Sequence, residues 1–287
     1  MNGTEIEKYA IAIRKRLPPR YNIEKGKLKP KLKNIEGIKA ILIDVYGTFI
    51  TSPADGLLEM NEEVSLRKTI KEFGLNISFK KLKEQYYEGI VQEIERKARG
   101  GIKHPEVVIE NIWSSILKSI NAKGVNKFKI AYFFDWNSDR NKLYPNAFET
   151  LNTLKQNGLK LGIVSNAQFY TPLNLTLSLR KASSGKIKNW KDFFDPRLCT
   201  FSYKQGFSKP NKQVFAKHKK IFKSSEMIMV GNDILKDIGT AKKSGLNTVL
   251  FAGDKKSLRL RSKDPQTKGV KPDAVITDWK QLLKVIG

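Results

Sequence analysis

Asp44, Ser165, Lys209, Asp233 and Asp237 carry the side chains best suited to chemistry in this sequence. A carboxylate can attack, relay a proton or hold a cation, a hydroxyl can donate a hydrogen bond, and an ammonium can neutralise charge. Asp44 opens the stretch Asp44-Val45-Tyr46-Gly47-Thr48, Ser165 is followed by Asn166, and Lys209 by Pro210. Asp233 follows Gly231-Asn232, with Asp237 four residues further on. Singly, each is an ordinary strand-end or turn former. Other candidates are weaker. His104 and His218 are isolated and make no metal triad. Trp113, Trp136, Trp190 and Trp279 are scattered, as core or rim residues are. Phe169 and Tyr170 could line a pocket mouth or pack as core. Cys199 is the only cysteine, which excludes an intrachain disulfide.

Position turns these residues into a candidate site. Residues 38–47 form a continuous apolar, β-branched run, as buried parallel strands do, and Asp44 lies near its end. The pattern predicts further strands at 159–166, near 198–203, at 227–232, 247–253 and 274–277. It predicts helices at 145–158, 211–223 and 234–244 between them. Alternating strands and helices imply an α/β fold with a Rossmann-like parallel sheet covered on both faces. In such sheets the site lies outside the carboxyl ends of the strands, where these polar residues fall. Between the first strand and the rest, the segments 61–74, 79–99, 105–119 and 124–134 read as helices, an inserted all-helical cap domain. The expected organisation is an N-terminal helix (4–17) and basic arm within 1–37, a core of 38–55 and 140–287, and a cap of 56–139. Thr4 and Glu7 have capping-box spacing, and Pro18-Pro19 stop that first helix.

DVYGT, VSN, SKP and VGNDILKD, in this order and at these strand ends and loops, resemble the four motifs of the haloacid dehalogenase superfamily. The likeness covers about 38–52 and 140–280 and implies a hydrolase fold with a helical cap. It implies that Asp44 attacks an electrophilic centre to form a covalent intermediate, with Ser165 and Lys209 completing the catalytic set. Gly47 would allow a tight turn near the ligand, Thr48 and Ser165 would hydrogen-bond the transferring group, and Lys209 would neutralise charge. Asn166 falls in the substrate-binding set or supports its turn. A magnesium ion (Mg2+) would be held by Asp44, the carbonyl of Tyr46, Asp233 and Asp237. Asp237 either ligates through water or caps and pairs on its own helix.

Tyr46 departs from the pattern of the family's phosphatases, which carry an aspartate two residues after the nucleophile to protonate the leaving group. A tyrosine hydroxyl titrating near about 10 is a poor replacement. The DxYGT form resembles the metal-independent 2-haloacid dehalogenases, whose halide leaving group needs no proton. Against that, Asp233 beside Asp44 calls for a cation, and residues 61–134 lack those enzymes' arginine-bearing cap segment. The expectation is therefore Mg-dependent hydrolysis of a small phosphorylated molecule, with dehalogenation as the alternative.

The formal net charge is +26, and the lysines run along the whole chain. The charge fits an anionic partner, including nucleic acid, or simply a lysine-rich solvated surface. No nucleic-acid-binding signature stands out. A weakly catalytic binding protein is thus a third possibility. No apolar run approaches the roughly 20 residues of a membrane span, and no secretory h-region follows the first charges. The expected location is cytoplasmic, with no membrane partner.

Overall fold

The computed structural model describes residues 3–52 and 55–286, with backbone only for 55–60. It divides into two compact units, one of Met1–Tyr21 and Pro53–Asn141, the other of Asn22–Ser52 and Lys142–Gly287.

The second unit is built on a six-stranded, all-parallel sheet: β1 (Ala40–Ile43), β2 (Lys160–Ser165), β3 (Cys199–Phe201), β4 (Met227–Gly231), β5 (Asn247–Phe251) and β6 (Ala274–Ile276), in the order β3-β2-β1-β4-β5-β6. Every residue of β1 is buried, because β1 is central and both sheet faces are covered. Alternation sends Ile41 and Ile43 into one core cluster with Ile163 and Val230, and Ala40 and Leu42 into the other with Val164 and Met229. Gly162 lets β2 approach β3, since a Cβ there would lie 2.2 Å from the Leu198 carbonyl oxygen.

The first unit is helical: α1 (Gly3–Arg16), α2 (Asp55–Phe73), α3 (Phe79–Arg99), α4 (Ile109–Ser119) and α5 (Lys127–Ser138). α5 is capped by Asn126 and buries Ile130, Ala131, Tyr132, Phe133, Phe134 and Trp136. That burial on nearly all sides makes it the unit's central helix. The N-terminal helix belongs to this unit. Arg14 donates to the Tyr132 hydroxyl at 2.9 Å and lies over the Trp136 ring, whose Nε1 donates to the Leu17 carbonyl at 2.8 Å. The basic arm after it lies on the sheet unit. Among the described residues no helix is long and apolar enough to cross a membrane.

After α6 (Ala147–Gln156), two connections differ from the expected pattern. Thr171–Ala182 is a helix, α7, that the sequence analysis does not predict. Residues 211–223 form 3-10 turns at Lys212–Phe215 and His218–Lys220, not one helix. The tighter turn brings Val214, Phe215 and His218 into the core, while Lys212, Lys219 and Lys220 stay exposed. His218 donates from Nε2 to the Leu198 carbonyl at 3.1 Å. Burial pushes its imidazole from the usual 6.5 down to about 4. Its pKa is thus lower in the folded state. Below about pH 6.5 the unfolded chain takes a proton that the folded chain refuses, so stability falls until about pH 4. The expected cost is about 3 kcal/mol. Urea unfolding at pH 7 and pH 4 measures it: the wild-type loss should exceed that of His218→Gln by about this amount, and equal losses would refute the assignment.

Candidate active site

Asp44 follows β1 directly, Ser165 ends β2, and Asn232 follows β4, so the carboxyl ends of three adjacent strands meet in one place. At their centre lies the Lys209 ammonium, 3% exposed. It donates to Asp44 Oδ1 at 2.6 Å, Asp237 Oδ1 at 2.6 Å and the Val164 carbonyl at 2.8 Å, which uses all three of its protons. Burial works against its charge, but the carboxylates of Asp237 and Asp44 outweigh burial and hold the pKa above its ordinary value. Asp237 is fully enclosed. Burial, partly offset by Lys209 and reinforced by the charges of Asp44 and Asp233, pushes its carboxyl up to about 7. Even with Lys209 in place, the pocket carries more negative charge than it can neutralise.

The backbone delivers these groups. Gly47 sits at φ 83°, and a Cβ there would lie 2.4 Å from Asn232 Nδ2. Only glycine serves this turn. Thr48 is buried and donates to Asn232 Oδ1 at 3.1 Å. Asn166 accepts from the Lys209 N–H at 2.8 Å and donates to its carbonyl at 3.1 Å, so it orients the lysine. Ser165 is buried at the end of β2.

A family model described as haloacid dehalogenase-like hydrolase matches residues 38–245. The chain belongs to the haloacid dehalogenase-like hydrolases. It is 25% identical over 260 residues to a glyceraldehyde 3-phosphate phosphatase of Methanopyrus kandleri, covering 87% of this chain and 97% of that one. It is 32% identical over 153 residues to a protein of the same name from Pyrococcus furiosus, covering 50% and 53%. Among solved structures, a HAD phosphatase from Thermococcus onnurineus shares 20% identity at a TM-score of 0.51, covering 86% of this chain and 97% of that one. A 2-haloacid dehalogenase from Pseudomonas syringae pv. Tomato shares 18% at 0.55, with the same coverage. These two likenesses establish the shared fold.

The donors of this haloacid dehalogenase-like hydrolase fit the magnesium ion that the family implies. Asp44 and Asp237 already converge on one cation and offer the hard oxygens that the ion prefers. Among the described residues no three His, Cys, Asp or Glu side chains gather into a metal group, so backbone and water oxygens would complete the shell. Asp233 stands apart from the ligand role expected of it. Its Oδ1 accepts from the N–H groups of Leu235 and Lys236, both at 2.9 Å, and Arg261 forks onto both of its oxygens at 2.6–2.9 Å. Burial alone would raise its carboxyl, but the Arg261 fork and the Lys236 N–H hold it below the usual range. Asp237 is therefore the second carboxylate on the Lys209 ammonium. Its Oδ2 accepts from the Asp233 N–H at 3.0 Å, and Gly231 leaves the room it occupies.

In this hydrolase the segment 254–259 braces the site, and it runs into 258–263, a stretch that reads from its sequence as a basic surface loop. Ser257 Oγ donates to the Gly47 carbonyl at 3.1 Å, and the Ser257 carbonyl accepts from Asn232 Nδ2. The Arg259 N–H donates to the Asn232 carbonyl at 2.9 Å. Tyr144 OH donates within reach of both Asp254 (2.8 Å) and Ser257 (3.0 Å), and Trp279 Nε1 donates to the Thr48 carbonyl at 3.1 Å. Tyr46 turns its hydroxyl to α7, where it bonds Thr171 Oγ1 at 3.0 Å and accepts from Asn174 Nδ2 at 3.3 Å. No local sequence signal announces these partners, which are distant in the chain.

Proposed function

We propose that the chain is a phosphohydrolase of small phosphorylated molecules that uses Asp44 as its nucleophile and Mg2+ as its cofactor. The observation that carries this reading is the Lys209 ammonium held between Asp44 and Asp237 at the strand ends. The phosphatase names of its relatives support phosphate monoesters as substrates. Asp44 attacks phosphorus while the bond to the leaving oxygen breaks, and water then cleaves the acyl phosphate to release inorganic phosphate. Lys209 holds Asp44 in line and neutralises charge on the phosphoryl oxygens, with Thr48 and Ser165 as further donors. Mg2+, held by Asp44, the Tyr46 carbonyl and Asp237, would supply Lewis-acid stabilisation of the phosphoryl group. Phosphate release with magnesium and with EDTA tests this: activity unchanged by EDTA overturns the metal assignment.

With its hydroxyl committed to Thr171 and Asn174, Tyr46 supplies no proton to a leaving group. Good leaving groups, such as aryl and acyl phosphates, should be hydrolysed faster than alkyl phosphates. Tyr46→Asp should raise the alkyl-to-aryl rate ratio, since a general acid contributes about 10²–10⁴-fold. An unchanged ratio would remove the general-acid explanation. Tyr46→Phe should leave the ratio alone and cost about 1–3 kcal/mol, because the buried Asn174 amide loses an acceptor.

The second reading is halide displacement from a 2-haloacid by Asp44 without metal. It is favoured by the engagement of Asp233 with Arg261, which removes one carboxylate from the metal set. Halide release in EDTA, with no phosphate release under either condition, would replace the first reading with this one.

A further inference from the structure

The basic arm takes no part in the site described above. Its sequence from Lys25 reads KGKLKPKLK, with lysine at positions 25, 27, 29, 31 and 33. All five lysines are exposed, whereas Gly26 and Leu28 between them are half-buried. Leu28 packs on the cluster of Ile234, Ile238, Leu250, Ala252 and Val275. The arm's backbone is pinned at both ends. The Glu24 N–H donates to Asp254, and the Glu24 carbonyl accepts from the Lys255 N–H. Lys31 exchanges two backbone hydrogen bonds with Val275 on the edge strand β6, and the Ile35 N–H donates to the Val285 carbonyl. The lysines therefore stand on a fixed track.

Among the described residues none of the five forms an ion pair, and the neighbouring Glu24 is taken by Lys255. Leu258 and Val270 pack on the same cluster as Leu28. A row of exposed ammonium groups on a pinned backbone, none of them paired with a carboxylate among the described residues, is unfavourable for the isolated chain and favourable beside a linear polyanion, whose counterions it releases.

We propose that this lysine track binds single-stranded nucleic acid through its phosphates. The track is longer than one phosphorylated metabolite can span. It is one arm wide and lies flat on the core, so it follows one backbone and cannot enter a duplex groove. The leucine exposed on it, Leu32, stands singly between Lys31 and Lys33 and does not form the apolar face that membrane anchoring needs.

The test is gel retardation of a labelled oligo(dT) by the full chain across a salt series. The five-lysine variant (Lys25, Lys27, Lys29, Lys31 and Lys33 to Gln) is compared with a control of equal charge change, Lys68, Lys71, Lys80, Lys118 and Lys123 to Gln. Circular dichroism verifies that both fold. Five phosphate contacts give a slope of log K against log salt of about −3.5 on single strands, and the track variant should lose about that much slope while the control keeps it. No retardation at low salt, or equal losses in both variants, would overturn the proposal. So would equally tight binding of duplex, or track-dependent binding to anionic lipid vesicles with none to the oligonucleotide.

Discussion

Asp44→Asn should reduce phosphate release by at least about 10³-fold and leave the fold intact, as loss of a covalent nucleophile does. The substitution keeps the shape of the side chain, and its amide oxygen can still accept from Lys209 at the position Oδ1 occupies. Lys209 retains Asp237 and the Val164 carbonyl, so no buried charge is stranded. The melting temperature should therefore stay within a few degrees of wild type. What is lost is specific to chemistry, because an amide nitrogen or oxygen does not attack phosphorus at a useful rate. Steady-state phosphate release beside a thermal melt separates the two effects. Activity within tenfold of wild type would remove Asp44 as the nucleophile. Equal collapse of stability and activity would instead mean that Asp44 holds the site together.

The elements and residues of this site were unequally legible in the sequence. The central strands were, because β1 and β4 are unbroken aliphatic runs buried on both faces. Helix α7 was not. Its Leu173, Leu175, Leu177 and Leu179 repeat with the period of a strand, and tertiary packing overrides that pattern. Asp44 and Ser165 could be placed from strand ends, whereas Lys209, in a loop, and Asp237, inside a helix, needed the order of the four motifs. The roles of Asn232 and Asp233 could not, because neighbouring residues leave a strand end in opposite directions. Asn232 turns to Thr48 and Ser257, Asp233 turns to Arg261, and nothing local says which does which. Ser257 was hidden for a different reason: it braces Gly47 from 210 positions away. The arm's lysine repeat was visible, but only the contacts of Leu28, Glu24 and Lys31 turn it into an ordered surface.

Lys209→Met should be the most damaging single change to both stability and activity. Among the described residues the lysine's ammonium is the one side-chain partner of Asp44, and it also binds Asp237; both carboxylates are buried. Without it, two buried carboxylates face each other across the space it filled. Breaking a buried charge cluster by removing one partner costs about 3–5 kcal/mol, mainly because the remaining charges are left uncompensated. Activity should fall further than stability explains, since the same ammonium neutralises the transferring group. A second substitution separates these effects. Asp237→Asn in the Lys209→Met background removes one of the stranded charges and should recover part of the lost stability without restoring turnover. Denaturant unfolding of the wild type, both single variants and the double variant closes the cycle. If the two substitutions destabilise additively, Lys209 and Asp237 do not share a charge cluster. If the double variant regains turnover, Lys209 only offsets Asp237 and has no part in the reaction.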